Sequence, residues 1–183
     1  MGRRKSISKY QFASTLAGSR RRVPFRAVNV NGRKGDEPEL QRHHILPRQL
    51  LGRRCFGPLF GEVGRENVHF DDFRFNGLLL PATEEATQRM TMPLHRGPHR
   101  SYNELVIERV GRIEADWARA RLTDPEGANE EALMRLRLLQ SALRKRLLSP
   151  RKRLVLNKND PLGTGFDFTD LDSMAETLWQ STD

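Results

Sequence analysis

The most regular pattern in this chain is a stripe of apolar residues in its C-terminal half. Apolar side chains recur at spacings of three and four, which places them on one face of a helix. The stripe consists of Tyr102, Val106, Val110, Ile113, Trp117 and Ala120. Pro98 precedes the stripe at a position typical of the first turn of a helix. The sequence therefore predicts an amphipathic helix that begins near Pro98.

A second stripe follows after the helix-breaking run Asp124-Pro125-Glu126-Gly127. It consists of Leu133, Leu136, Gln140, Leu143 and Leu147, and it ends before Ser149-Pro150. Two amphipathic helices joined by a short loop favour an antiparallel helical hairpin. Because the second stripe has heptad-like spacing, a homodimer interface through the hairpin remains an alternative.

The pattern before these helices is shorter and less regular. Residues 38–81 are expected to form short extended pieces and turns, and Asn76-Gly77 is typical of a β-hairpin turn. Residues 82–93 are polar and indicate one exposed helical turn or a loop. The predicted fold class is α+β and mainly helical, with a small ββα core, few short strands and a helical hairpin.

The two ends of the chain differ in charge. Residues 1–54 carry 14 lysines and arginines against three acids, a net charge of +11, whereas residues 159–183 carry six acids and no base. The sequence predicts short helices at Ser8–Leu16 and around Asp170–Trp179. We expect four units: a basic arm (1–37), a core (38–122), the second helix of the hairpin (123–150) and an acidic tail (151–183).

The amino-acid composition limits the classes of binding partner and the cellular compartments that we expect for this protein. The 183 residues carry a net charge of +9, with a pI of about 10.5, which favours a polyanion such as nucleic acid but also suits an arginine-rich soluble surface. The single Cys55 excludes an internal disulfide framework. No apolar run spans a membrane and no signal peptide is visible, so we expect a cytoplasmic protein or one delivered by a dedicated secretion system, without a membrane partner.

Four of the five histidines form two clusters, His43-His44 and His95/His99. Imidazole is both a metal ligand and a general base near neutral pH. Neighbours on a strand point to opposite faces, so one of His43 and His44 can bind a metal while the other faces the substrate. The i, i+4 spacing of His95 and His99 lets them share that metal on a helix or at a helix entry.

Three imidazoles leave an open position for water or phosphate, which is typical of a catalytic metal site. An all-nitrogen site favours zinc, nickel, cobalt or manganese, and a loosely held magnesium is also compatible. In a purely structural site a fourth ligand would be needed, from Asp71, Asp72 or His69. The cofactor that we expect is one divalent metal ion.

Three strings carry a family resemblance: His43-His44-Ile45-Leu46-Pro47, Phe75-Asn76-Gly77-Leu78-Leu79-Leu80-Pro81, and the run from His95 to Tyr102. Together they resemble the AHH family of HNH-like nucleases, part of the histidine–metal (ββα-metal) endonuclease superfamily. Members are often toxin modules of bacterial polymorphic toxins. The resemblance covers about residues 40–108. One departure is Arg42, which stands where the family has alanine.

The resemblance implies a role for each motif residue. His43, His95 and His99 would bind the metal, and His44 would be the general base. Asn76 would hold the His44 imidazole by a hydrogen bond, and the helix after Pro98 would be the α of ββα. Three arginines within or directly before these motifs are expected to contact substrate phosphate: Arg42, Arg96 and Arg100.

The expected function is therefore a metal-dependent endonuclease of low sequence specificity, with DNA favoured over RNA and a toxin role. Two alternatives are a non-catalytic, metal-stabilised nucleic-acid-binding module and a phosphodiesterase of small nucleotides. The sequence leaves open whether an immunity or regulatory protein is a partner.

Overall fold

A two-stranded antiparallel sheet brings the first two motifs together. Strand β1 (Leu40–His44) pairs with β2 (Gly77–Pro81), with His43 opposite Leu78 and His44 opposite Gly77. Because side chains alternate along β1, His43 is buried whereas its neighbour His44 is only partly covered. The computed structural model describes residues 21–150, 154–156 and 160–162.

Residues 45–76, which connect the two strands, are largely helical. Helix α1 (Gln49–Gly52), a 3-10 turn (Arg54–Phe56), helix α2 (Gly57–Val63) and helix α3 (Phe73–Asn76) follow one another. The prediction of extended pieces and turns was wrong here. The apolar residues Phe56, Phe60 and Phe70 meet edge to face in the core, and this long-range packing stabilises helices that are too short to form by themselves.

Asn76-Gly77 does not form a hairpin turn, so that prediction was also wrong. Asn76 ends α3 and Gly77 begins β2. A Cβ atom at Gly77 would lie 2.2 Å from Cδ2 of Phe73, so glycine is required by the close approach of this ring. The side chain of Asp72 accepts a hydrogen bond from the backbone N–H of Arg74 and so caps the start of α3.

Residues 82–93 form more than the predicted exposed turn or loop. Helix α4 (Glu84–Met90) begins after Thr83, whose side chain accepts a hydrogen bond from the backbone N–H of Ala86. Ala86 and Thr87 are fully buried, so α4 has a face that packs against the protein.

The predicted helical hairpin is confirmed. Helix α5 (Arg100–Ala120) and helix α6 (Pro125–Leu147) are joined by residues 121–124 and pack against each other. Pro98 lies before α5 and not in its first turn, contrary to expectation. The apolar residues of both stripes line the core: Tyr102, Val106, Val110, Ile113, Trp117, Leu136, Leu143 and Leu147 are buried. The buried leucines of the second stripe therefore pack within the chain.

The N-terminal segment is not wholly a detached arm. From residue 23 it packs on the core: the backbone N–H of Phe73 donates to the carbonyl of Val23, and Pro24 forms a β-bridge with Asp72. Residues 23 and 24, at least, therefore contact the core that we predicted to begin at residue 38. The expected helices at Ser8–Leu16 and around Asp170–Trp179 lie outside the described residues.

A short stretch beyond α6 also joins the core. Leu154, Val155, Leu156 and Asp160 are buried. Within the described ranges, no helix has the length and apolar character needed to cross a membrane.

Candidate active site

Three histidines converge at the edge of the sheet. His43 comes from β1, His95 from the loop before α5, and His99 directly precedes α5. The backbone N–H of His95 donates to the carbonyl of Pro81, which ties this loop to the end of β2. One ligand atom from each histidine lies within 4.8 Å of the others. The predicted convergence of His43, His95 and His99 is therefore present.

The nitrogen atoms of this cluster fit a divalent metal. Nε2 of His43 and Nδ1 of His99 are buried without a hydrogen-bond partner among the described residues. Nδ1 of His95 lies 3.1 Å from Oε1 of Gln41, a contact that leaves Nε2 of His95 as its ligand atom. Buried polar atoms are rarely left unpaired, so these nitrogens indicate a bound partner such as a metal ion.

Burial also keeps the three imidazoles neutral. It lowers the pKa of His43 well below its usual value, with further lowering by the charges of His95 and His99. Burial, followed by the charge of His99, lowers the pKa of His95 to about 4, and burial lowers the pKa of His99. Neutral imidazole is the form that binds metals, so the environment favours the ligand form of all three side chains.

None of the proposed fourth ligands joins the cluster in the described part of the chain. The metal-ligand group there consists of the three histidines. Asp72 is engaged with the backbone and side chain of Arg74. His69 stacks on Phe75, with ring centroids 4.3 Å apart, and so behaves as a packing histidine. The described cluster has the three-ligand composition typical of a catalytic site rather than a closed structural one.

Two residues outside the cluster, Tyr102 and Asp160, support its position. Neither was assigned a role in the site from the sequence. The hydroxyl of Tyr102 donates a hydrogen bond of 2.6 Å to the carbonyl of Ile45, and its ring lies edge-on to His43, at 5.0 Å. The backbone N–H of Leu94 donates to the carboxylate of Asp160, at 2.8 Å. In the sequence, Tyr102 belonged to the apolar stripe and ended the third motif, but neither pattern gave it a role in the site, and no local pattern pointed to Asp160.

His44 lies outside the three-histidine cluster. Its imidazole stacks on the ring of Phe25, with a centroid distance of 3.7 Å and an interplanar angle of 4°. Burial, followed by the positive charge of Arg48, lowers the pKa of His44 to about 4. The imidazole is therefore neutral at pH 7 and able to accept a proton. Residue Arg48 is exposed beside this histidine, and sequence reasoning missed it as well.

Asn76 does not hold the His44 imidazole, so the predicted hydrogen bond is corrected. The Asn76 side chain is fully buried and bonds instead to the backbone N–H and carbonyl of Leu46 and to the carbonyl of Phe70. Gln140 of α6 donates to the Asn76 Oδ1 atom. Asn76 therefore fixes the backbone that follows His44, and α6 supports Asn76.

The three arginines that we predicted to bind phosphate are all exposed. One of them, Arg42, also forms a hydrogen bond within the protein. Nη1 of Arg42 donates a hydrogen bond of 2.9 Å to the carbonyl of Phe25. Arg96 lies in the loop between His95 and His99, and Arg100 is the first residue of α5. Arg96 and Arg100 are therefore next to His95 and His99 in the sequence, and their side chains are exposed.

The comparison with known families decides the identity. Residues 25–143 match a family described as AHH, a nuclease family of the HNH/ENDO VII superfamily with conserved AHH. The chain belongs to the AHH family. It is accordingly a nuclease, a hydrolase of phosphodiester bonds. No curated protein and no solved structure matches the chain.

The family match is longer than the resemblance over residues 40–108. It begins at Phe25 and includes most of α6, in agreement with the contacts that Phe25 and Gln140 make to the motif residues. The alanine of the family's Ala-His-His is Arg42 here, and this arginine holds the Phe25 backbone.

Proposed function

We propose that this AHH-family nuclease is a metal-dependent endonuclease that cleaves DNA with low sequence specificity, and that His44 is its general base. The observation that carries the proposal is the different placement of the two adjacent histidines of β1. His43 is the buried member of a partly buried three-nitrogen cluster, whereas the adjacent His44 is a neutral imidazole outside it.

His43, His95 and His99 would hold the divalent metal through the nitrogens described above. When bound, such an ion supplies positive charge that stabilises the charge developing on phosphate oxygens during cleavage. The neutrality of the three imidazoles at pH 7 keeps them available as ligands. Gln41, through its contact with His95, would fix the orientation of that ring.

His44 would accept a proton from a water molecule. The water oxygen then forms a bond with phosphorus while the bond from phosphorus to the 3′ oxygen breaks, and the departing 3′ oxygen receives a proton. The products are 5′-phosphate and 3′-hydroxyl ends. A substrate phosphate close to His44 would raise the pKa of this imidazole, because its negative charge opposes the effect of Arg48.

The exposed arginines around the cluster support low sequence specificity. Arg48, Arg96 and Arg100 would contact backbone phosphates, and such contacts orient a nucleic acid without selecting its bases. Arg42 would contribute a further charge even while it holds Phe25. The preference for DNA over RNA rests on the family resemblance alone.

A toxin role rests on the same resemblance. We propose that the chain acts in a target cell after delivery by a secretion system, with an immunity protein as its partner. Expression of the wild-type chain should then stop bacterial growth, and expression of the His44→Ala variant should not. Normal growth with an active, soluble wild-type enzyme would argue against this role.

Plasmid cleavage by the purified protein tests the enzymatic proposal. Cleavage should require a divalent metal, stop when a chelator is added, and resume when metal is restored. His95→Ala should abolish it, whereas His69→Ala, which removes a histidine outside the site, should not. RNA and small phosphodiesters are compared under the same conditions. Activity that persists without metal, or loss of activity in both variants alike, would contradict the proposed site.

A further inference from the structure

The imidazole of His44 is held by an aromatic ring rather than by a hydrogen bond. Within residues 21–150, no side chain forms a hydrogen bond with it, and Asn76 is fully engaged elsewhere. Its close ring contact is the parallel stack with Phe25, at 3.7 Å and 4°. Such a stack covers one face of the imidazole and leaves its two nitrogens pointing outwards in the plane of the ring.

Phe25 is itself fixed on several sides. Its ring meets Phe73 edge-on, with centroids 5.1 Å apart and an interplanar angle of 76°. The preceding residue, Pro24, pairs with Asp72, and the carbonyl of Phe25 accepts a hydrogen bond from Arg42. Arg42 lies two residues before His44 on β1. The segment that carries the aromatic ring is thus tied to the strand that carries the base.

We propose that Phe25 is the positioning residue for the His44 base. Its ring restricts the tilt of the imidazole, so that a proton-accepting nitrogen stays in a single plane when water and phosphate approach. This inference rests on the proposed function of His44 as the base. Phe25 acts through His44 and does not itself touch the reacting atoms.

The kinetic test replaces the ring while keeping an apolar side chain. Phe25→Leu should lower kcat by about 10- to 100-fold, the scale expected when a catalytic group is misplaced by about an ångström, with KM unchanged. Phe25→Tyr, which keeps an aromatic face, should retain most of the wild-type kcat. Phe75→Leu is the matched control, because it removes the other stacked phenylalanine–histidine pair, at His69, and should leave kcat unchanged.

A second readout does not depend on activity. In proton NMR spectra, the imidazole protons of His44 should be shifted upfield by the Phe25 ring, and Phe25→Leu should remove this shift. Phe75→Leu should instead affect His69. Melting temperatures of all variants show whether each one folds. If Phe25→Leu does not fold, Phe25→Met, which is flexible and of similar volume, takes its place in both measurements.

The outcomes separate this inference from the proposed function. A wild-type protein that cleaves no nucleic acid with any divalent metal would overturn the proposed function. An active wild type would overturn the positioning role in either of two cases: if the folded Leu or Met variant keeps the wild-type kcat, or if only its KM changes. Equal losses in the Leu and Tyr variants would also overturn it, because the aromatic face would then not matter.

Discussion

The carboxylate of Asp160 accepts a hydrogen bond from the backbone N–H of Leu94, the residue directly before His95 of the three-histidine cluster. Both residues are buried, and Asp160 also accepts a hydrogen bond from the backbone N–H of Leu162. A segment that lies outside the family match therefore anchors the loop that carries His95, one of the three clustered histidines.

Asp160→Ala should destabilise the protein and weaken metal binding. It leaves the buried N–H of Leu94 without an acceptor, which typically costs about 1–3 kcal/mol. Chemical denaturation and calorimetric metal titration measure the two effects. Glu62→Ala, at an exposed acid on α2, is the control. If a folded Asp160→Ala variant bound metal with wild-type affinity, the result would show that Asp160 does not support the metal site.

Asn76→Ala should affect the stability of the fold more than it affects the catalytic step. The substitution removes a buried side chain that bonds to Leu46, Phe70 and Gln140. We expect the free energy of unfolding to fall by roughly 3 kcal/mol or more, since several buried groups lose their partner. Denaturation curves and kcat are measured on the same samples. A large loss of kcat at wild-type stability would restore the direct role of Asn76 in orienting the base.

Cleavage should remain active to lower pH than an ordinary histidine base would allow. Burial and Arg48 lower the pKa of His44 to about 4, so the free enzyme loses its base form only as the pH falls towards 4, and not between pH 6 and 7. The pH profile of kcat/KM at saturating metal reports this pKa. Arg48→Gln removes a positive charge that disfavours protonation, and it should move the acidic limb to higher pH. An acidic limb near pH 6.5 in the wild type would contradict the assignment.

Two truncations of the N-terminal segment should distinguish its contribution to nucleic-acid binding from its contribution to catalysis. Removing residues 1–20 deletes five basic residues and no acid, so nucleic-acid binding should weaken. Its salt dependence should also flatten, by about one log–log unit for each phosphate that the shortened chain no longer binds. Removing residues 1–30 also deletes Phe25 and should lower kcat. Salt-dependent binding and single-turnover cleavage are compared, with melting temperature as the control for folding. Equal kcat in both truncations would argue that residues 21–30 do not serve the site.

The parts of this protein that its sequence predicted are those that leave a local pattern. The stripes beginning at Tyr102 and Leu133 predicted the hairpin because helical periodicity is short-range. The clustered histidines predicted the convergence of His43, His95 and His99 because the chain has only five histidines in all.

The parts that it did not predict depend on contacts between distant residues. Phe25 and His44 are 19 positions apart in the sequence, and Leu94 and Asp160 are 66 positions apart. Neither contact has a sequence signature. The short helices α1 and α2 likewise depend on tertiary packing of Phe56 and Phe60. Asn76 was found by its motif, but its hydrogen-bond partners could be assigned only from the structure.

The central claim is that adjacent histidines of β1 have different roles, and it is tested most directly by metal content and cleavage rate in His43→Ala and His44→Ala. We expect His44→Ala to bind about one metal ion per chain, like the wild type, while cleavage falls by about 100-fold or more, the contribution typical of a general base. We expect His43→Ala to lose both metal and cleavage. Loss of metal in His44→Ala together with retention in His43→Ala would contradict the account and reverse the two roles.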